Sequence, residues 1–475
     1  MLADNVRKLE RTLRMAKAAG YNGVVLDDYK FQILDRLSPE YFRHLEEIKT
    51  TARGLEMDLY PLVARFGYSN GLLAHDPNLA EGLPVIRAPY QMHGNYATLR
   101  ADQHVRLNGE QGVRVSRFRQ YHLAVDLKTD NFRATKALPA VVAINRRRIG
   151  YFDGLPAPTQ DWTTHHIVFN SLDNELIEVR PLAWVSGIGE ISFKNASLRE
   201  IGLVNVIRRE GAPLVVTAED GRTVYQEAVD FEIENNRPLG LMPRYGEFDA
   251  YHEPPRLLRC PGSRIRDDQI LLVSYYHAMI VREGGVMCCL SQPKPYDIVK
   301  DQISRLQEIF QPKGFFSSID EVRVANWCDS CRRRAMTPGE MVAETASRCT
   351  QMIREASPSA KILAWSGMFD PFHNAHDHYY LANGDLAGSW KGLDKDVIVA
   401  TWNFTTRERS LNWFGSLGHP QLLTGFYDRG VNEMEGWRKA AAGIAGISGA
   451  MYTTWRDDYS HLNTFADVMW NRARA

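Results

Sequence analysis

The chain has 475 residues, 44% hydrophobic and 24% charged, which is enough apolar material for large cores and enough charge to solubilise them. Its 57 basic and 57 acidic residues cancel, which removes the electrostatic footprint of a nucleic-acid binder or a membrane-surface protein. No run of 18 apolar residues occurs, and the N-terminal stretch reads as an amphipathic helix without the apolar centre of a signal peptide. A cytoplasmic protein is therefore expected, unless a leader has been removed from the native chain.

From residue 5 to about 82 the pattern is helix, strand (22–26), helix (39–53), strand (57–63), a βα alternation. From about 83 to 255 helical periodicity gives way to short alternating or β-branched runs, such as YHLAVDLKT, HHIVFN and GEISFKNASLREI, separated by Gly, Pro, Asn and Asp. That texture predicts a β-sandwich, jelly-roll-like in its later strands, of the kind carbohydrate-binding modules use. Trp162, His165, His166 and Trp184 are candidates for a sugar-binding face there, although alternation sends about half of such residues into the core.

After residue 262 the βα alternation resumes, with strand candidates at 270–275, 314–319, 362–365, 397–401, 422–426 and 450–453 and helices at 296–310, 338–355 and 433–445. With the two N-terminal strands these make eight. The expected architecture is an α/β fold, a (β/α)8 TIM-type barrel (1–82 and 256–475) interrupted by an inserted β-sandwich (83–255).

Adjacent carboxylates, Asp320 and Glu321, sit where one of these strands ends, at the face that carries the chemistry in such barrels. Aromatic and acidic residues recur at the other strand ends: Asp28; Tyr276 and His277; Trp365; Trp402; Tyr427 and Asp428; Trp455 and Asp457. Sugars have apolar C–H faces and hydroxyl edges, so indoles ringed by carboxylates suit a saccharide. Core packing is the competing explanation of each lone Trp. Six cysteines are too few for a disulfide scaffold. The C-x-x-C of Cys328 and Cys331 has no second pair, and His373, His376 and His378 on one polar stretch lack an ordered acidic partner, so no metal is expected. No phosphate-cradling glycine motif or nucleophile elbow appears, and no cofactor is expected.

Several segments resemble glycoside hydrolase family 20, the β-N-acetylhexosaminidases, and in particular their hexosaminidase-D-like branch: MAKAAGYNGVVLDDY, LYPLVARFGYSNGLLAHD, the approach KGFFSSIDEV to the family's H-x-G-G-D-E-V signature, and then AWSGMF, ATWNF, GFYD and TTW in the family's order. The resemblance spans the barrel portion only. It implies that Asp320 orients and polarises a 2-acetamido group whose oxygen attacks the anomeric carbon, while Glu321 acts as general acid/base. It further implies that Trp365, Trp402 and Trp455 wall the sugar and that Tyr427 donates to the acetamido oxygen. Asp28, Tyr276, His277, Asp428 and Asp457 remain as other substrate-binding candidates. The chain departs from the signature at Phe316, Ser318 and Ile319, where the family has His and two glycines. Two alternatives stay open: a retaining or inverting glycosidase on a sugar without an acetamido group, using Glu321 with Asp428, and a non-catalytic carbohydrate-binding protein. In each case the expected partner is an oligo- or polysaccharide.

Overall fold

The computed structural model describes residues 3–101, 104–145, 147–152, 156–234, 239, 246–281, 285–428 and 430–471, with backbone alone at 3, 134–138, 183–186 and 471. Seven parallel strands form one sheet in chain order: Gly23–Leu26, Asp58–Val63, Gly314–Ser317, Lys361–Trp365, Ile398–Thr401, Gln421–Leu423 and Ile447–Ala450. Period-two alternation divides their side chains between two cores. Phe315, Ile362, Ala364 and Val399 face outward onto the helices Pro39–Gly54, Lys294–Phe310 and Pro338–Ala356 through Ile48, Ile303 and Val342. Leu62, Phe316, Leu363 and Ala400 instead meet one another, together with Val25, Leu422 and Met451. Side chains from the first six strands and from the residue after the seventh can share one interior only if the sheet curls on itself. The ends of the chain also meet, since the Tyr21 hydroxyl donates to the Leu462 carbonyl and Trp470 Nε1 to that of Ala19.

Local chemistry sets the helix bounds. Pro338–Ala356 starts at a capping box in which the Glu340 amide donates to Thr337 Oγ1 and the Thr337 amide to the Glu340 carboxylate. Lys294–Phe310 buries Ile298, Val299, Ile303, Leu306 and Phe310 on one face and ends at Gln311 in the left-handed region.

The strand expected at 270–275 is not part of the parallel sheet. Ile270–His277 pairs antiparallel with Leu83–His93 and Val215–Ala218, in a separate eight-stranded sheet with its own core of Val85, Tyr90, Val216, Leu257 and Val273. An alternating apolar run marks a strand but does not name its neighbours. A second antiparallel sheet of six strands is built on the long pair Gln120–Ala143 and Leu176–Ile201. Its apolar face, including Leu123, Val125, Ile167 and Phe169, packs on Val324, Trp327 and Leu381. Those three residues belong to the loops that follow the third and fourth parallel strands, so the six-stranded sheet rests on the strand-end face of the curled sheet.

Candidate active site

The third parallel strand delivers the two carboxylates. At its end the Ser318 amide donates to the Val63 carbonyl at 2.7 Å, and past the acids Val324–Ala325 pairs with Leu381–Ala382, clamping the connecting loop at both ends. Within it Glu321 has φ +49°, in the left-handed region that a residue with a Cβ rarely adopts. The loop also lies hard against the segment after the second strand. A Cβ on Gly67 would fall 1.3 Å from the Asp320 carbonyl oxygen, so only glycine fits.

The next residue, Tyr68, donates its hydroxyl to Glu321, as does the fully buried guanidinium of Arg323, whose Nη2 also lies 3.2 Å from the Tyr68 hydroxyl. Arg323 sits between the rings of Tyr68 and Tyr380, at 5.3 and 5.4 Å from their centroids.

Asp320 is held differently. Burial, and then the neighbouring Glu321 charge, push its carboxyl up to about 8, with Arg323 pulling the other way. Asp320 Oδ1 has no hydrogen-bond partner in the protein, and neither do Trp402 Nε1, His373 Nδ1 or the Tyr379 hydroxyl, all of them buried. The first two converge: a Cβ on Gly367 would lie 2.9 Å from Asp320 Oδ1, 3.1 Å from Asn374 Nδ2 and 3.4 Å from Trp402 Nε1. His373 packs edge-on against Trp402 at 4.7 Å, and burial lowers its pKa to about 4, so the ring is neutral near pH 7. Buried polar atoms left unpaired by the fold are suited to a polar ligand.

Beside them stands an aromatic cluster. Phe316 lies 4.7 Å from Trp365, and Trp455 is 6.3 Å from Trp365, 6.2 Å from Trp402 and 5.3 Å from Phe426, with 54% of its surface exposed. Its position is fixed by Asp428, which accepts from the amides of Trp455 (2.8 Å) and Arg456 (3.1 Å) and from the Thr454 hydroxyl.

Of the residues singled out in the sequence, the fold therefore groups Asp320, Glu321, Trp365, Trp402 and Trp455, with Asp428 behind them as the anchor of the Trp455 loop. The others lie elsewhere. Asp28 accepts from the Lys30 amide and, at 2.8 Å, from the Tyr41 hydroxyl. Tyr276 and His277 belong to the antiparallel sheet, where Tyr276 donates to Asp329 at 2.6 Å and His277 is buried against Asn170. Tyr427 is buried with Met434 and Phe465 and stacks on Tyr452, and its buried hydroxyl has no hydrogen-bond partner in the protein. Asp457 is exposed and pairs with Lys8. In the six-stranded sheet Trp162 lies under Lys194, His165 packs edge-on to Phe152, and His166 bonds His122; the Trp184 side chain falls outside the described residues.

Tyr68, Arg323, His373, Asn374 and Tyr379 were not among the candidates. Two had a visible signal: Tyr68 follows the Phe66-Gly67 pair of the segment that resembles the family, and Arg323 closes D-E-V-R. His373 and Asn374 were hidden in a histidine-rich stretch whose other members, His376 and His378, are exposed.

A second cluster involves metal-ligating types. The C-x-x-C cysteines are joined by Cys289 and Glu81, all four buried, with one ligand atom from each within 4.8 Å of all the others. The absence of a second C-x-x-C in the sequence concealed this, because the other two partners come from distant segments.

No family model and no curated protein matches the chain. Among solved structures, a β-N-acetylhexosaminidase from Bacteroides fragilis NCTC 9343 is similar at 14% identity over 40% of this chain and 41% of that one, with a TM-score of 0.29. The tandem catalytic modules of a pneumococcal exo-β-D-N-acetylglucosaminidase give 15% identity, 39% and 50% coverage and a TM-score of 0.24. A rhamnosidase from Novosphingobium sp. PP1Y gives 11% identity, 88% and 50% coverage and a TM-score of 0.30. The matched region spans half or less of each of those three chains. Likeness at this level leaves the activity to be argued from the site itself.

Proposed function

We propose that the chain is a glycoside hydrolase whose acid/base chemistry is carried by Asp320 and Glu321 at the C-terminal rim of the curled, seven-stranded parallel sheet. The observation that carries this reading is Asp320, a carboxyl kept protonated by burial, next to Glu321, which accepts from Tyr68 and Arg323, with three tryptophans alongside. A carboxyl that keeps its proton near neutral pH is what acid-assisted bond cleavage requires. Asp320 thus holds the proton that the resemblance assigns to Glu321. That proton goes to the departing glycosidic oxygen, and the remaining negative charge steadies the positive charge developing at the anomeric carbon.

The substrate class we favour is a β-linked hexosaminide cleaved with retention by its own 2-acetamido group. Trp365, Trp402 and Trp455 would stack on the ring, and the unpaired polar atoms of Trp402 and His373 would meet the acetamido and hydroxyl groups. Glu321 with Asp428 is the less favoured pairing, because both Asp428 oxygens are engaged by residues 454–456. The six-stranded sheet would shape the cleft, since Arg147 donates to the Tyr380 and Ala382 carbonyls and Tyr151 stacks on Tyr380, the ring next to Arg323.

The test is turnover of aryl glycosides of β-GlcNAc, β-GalNAc, β-glucose and β-galactose, followed by a thiazoline mimic of the cyclised intermediate. Hydrolysis confined to the N-acetyl sugars and blocked by the thiazoline is expected. Hydrolysis of sugars without the acetamido group, with covalent trapping by a 2-deoxy-2-fluoro sugar, would replace substrate assistance by an enzymic nucleophile.

A further inference from the structure

The geometry points to a structural site for a thiophilic divalent cation, zinc in the cell, formed by Cys289, Cys328, Cys331 and Glu81. Cys289 Sγ lies 3.6 Å from Cys328 Sγ and 3.4 Å from Cys331 Sγ, and Glu81 Oε2 lies 3.5 and 3.3 Å from the sulfurs of Cys328 and Cys331. A tetrahedral zinc with bonds of ~2.3 Å to sulfur and ~2.0 Å to oxygen spaces its ligands at about 3.8 Å (S to S) and about 3.5 Å (S to O). The cluster therefore already has nearly the dimensions of a filled site.

The surroundings hold the ligands in place for this. Glu81 spends Oε1 on the amides of Trp327 and Cys328, both at 2.8 Å, which leaves Oε2 facing the sulfurs. The Cys331 and Arg332 amides close a tight turn on the Cys328 carbonyl, the shape in which a C-x-x-C presents both sulfurs to one ion. Glu81 and Cys289 are joined through their neighbours, since the Glu81 amide donates to Met287 and the Cys289 amide to Leu79. Three thiolates and a carboxylate exceed the charge of a divalent ion, and Arg209, with Nη2 3.4 Å from Cys328 Sγ, offsets part of the surplus. All four ligands are buried, with no open position for a substrate, as in structural zinc sites.

The location gives the site its purpose. Glu81 is the chain's exit into the antiparallel sheets, Cys289 follows its return, and Cys328 lies seven residues beyond Glu321 on the same loop. One ion would staple both ends of the insertion to the segment carrying the acids. This assignment does not depend on the glycosidase reading, because it is tested by metal and not by turnover.

The full-length protein, purified without chelator from zinc-supplemented medium, is expected to carry about one zinc per chain by elemental analysis. Replacing it with Co2+ should produce thiolate-to-cobalt charge-transfer absorption and the intense visible bands of a tetrahedral ion. Cys331→Ser should lower metal content at least fivefold and abolish those bands. Should that variant fail to fold, the wild type decides: under conditions where Cys288 and Cys349 stay protected by burial, a chelator should make Cys289, Cys328 and Cys331 react together with an alkylating reagent, and added zinc should protect those three again. A folded wild type with less than about a tenth of an equivalent of zinc and no cobalt thiolate bands would overturn the assignment. So would a Cys289–Cys331 disulfide found by mass spectrometry in the metal-free protein.

Discussion

Replacing Asp320 by Asn should make the protein more stable at neutral and alkaline pH while costing it its activity. The unfolded chain gives up the Asp320 proton near the ordinary value of 3.8, but in the fold burial holds it to about 8. Below pH 3.8 both states are protonated and the group has no pH effect. Between roughly pH 4 and 8 the folded state holds a proton that the unfolded state has lost, so stability falls as pH rises through that window and levels off above it. Each tenfold change in proton affinity is worth ~1.36 kcal/mol, so the penalty at pH 7 is at most about 4 kcal/mol. The residue keeps some solvent contact and shares its field with Glu321 and Arg323, so about 2 kcal/mol is the expected size. Asparagine keeps the shape and cannot ionise. Urea unfolding of both proteins at pH 5, 7 and 8.5 should show the variant gaining on the wild type with each step. Differencing the two cancels the titrating groups that do not interact with Asp320, such as Glu81. A difference independent of pH would refute the claim that Asp320 is held protonated.

Arg323→Met keeps the buried stem and removes the charge beside Glu321, and should cost about 3 to 5 kcal/mol in denaturant unfolding, the usual toll of orphaning one member of a buried pair. It should also move the inflection of the Asp320 pH effect upward, since Arg323 is the charge that lowers it. Trp455→Ala should leave the melting temperature within a few degrees of the wild type, because the ring is half exposed. Its KM should rise about tenfold, the weight of one lost stacking contact. Gly367→Ala places a methyl 2.9 Å from Asp320 Oδ1 and 3.1 Å from Asn374 Nδ2; kcat/KM should fall at least tenfold in steady-state assays while circular dichroism stays unchanged.

Six of the parallel strands and the long helices could be read from the chain because each carries its own period, a short apolar run or buried positions at three- and four-residue spacing, while the last strand, Ile447–Ala450, lies three residues before its expected start and end. What local pattern does not encode is partnership. Ile270–His277 has the same texture as a strand of the parallel sheet, yet its hydrogen bonds go to Leu83–His93, and Tyr276 and His277 left the expected site with it. Trp365 ends a parallel strand and Trp402 and Trp455 follow one within a few residues, which is why the sequence could place them on one face. Tyr427 also follows one, and its ring is buried with Met434 and Phe465. Arg323 and Tyr68 act through a carboxylate that neither touches in sequence, and the Glu81–Cys289 half of the thiol cluster is separated from Cys328 by 247 and 39 positions. Contacts of that kind become visible only in the fold.

The most direct test of the central claim is kcat/KM on aryl β-N-acetylglucosaminide and β-N-acetylgalactosaminide for the wild type, Asp320→Asn and Glu321→Gln, each confirmed folded. Measurable wild-type hydrolysis, reduced at least about a hundredfold in both variants, is the predicted result. Wild-type hydrolysis that survives both substitutions, or none on any sugar of the panel while a glycan array reports binding, would contradict the assignment of catalysis to this pair.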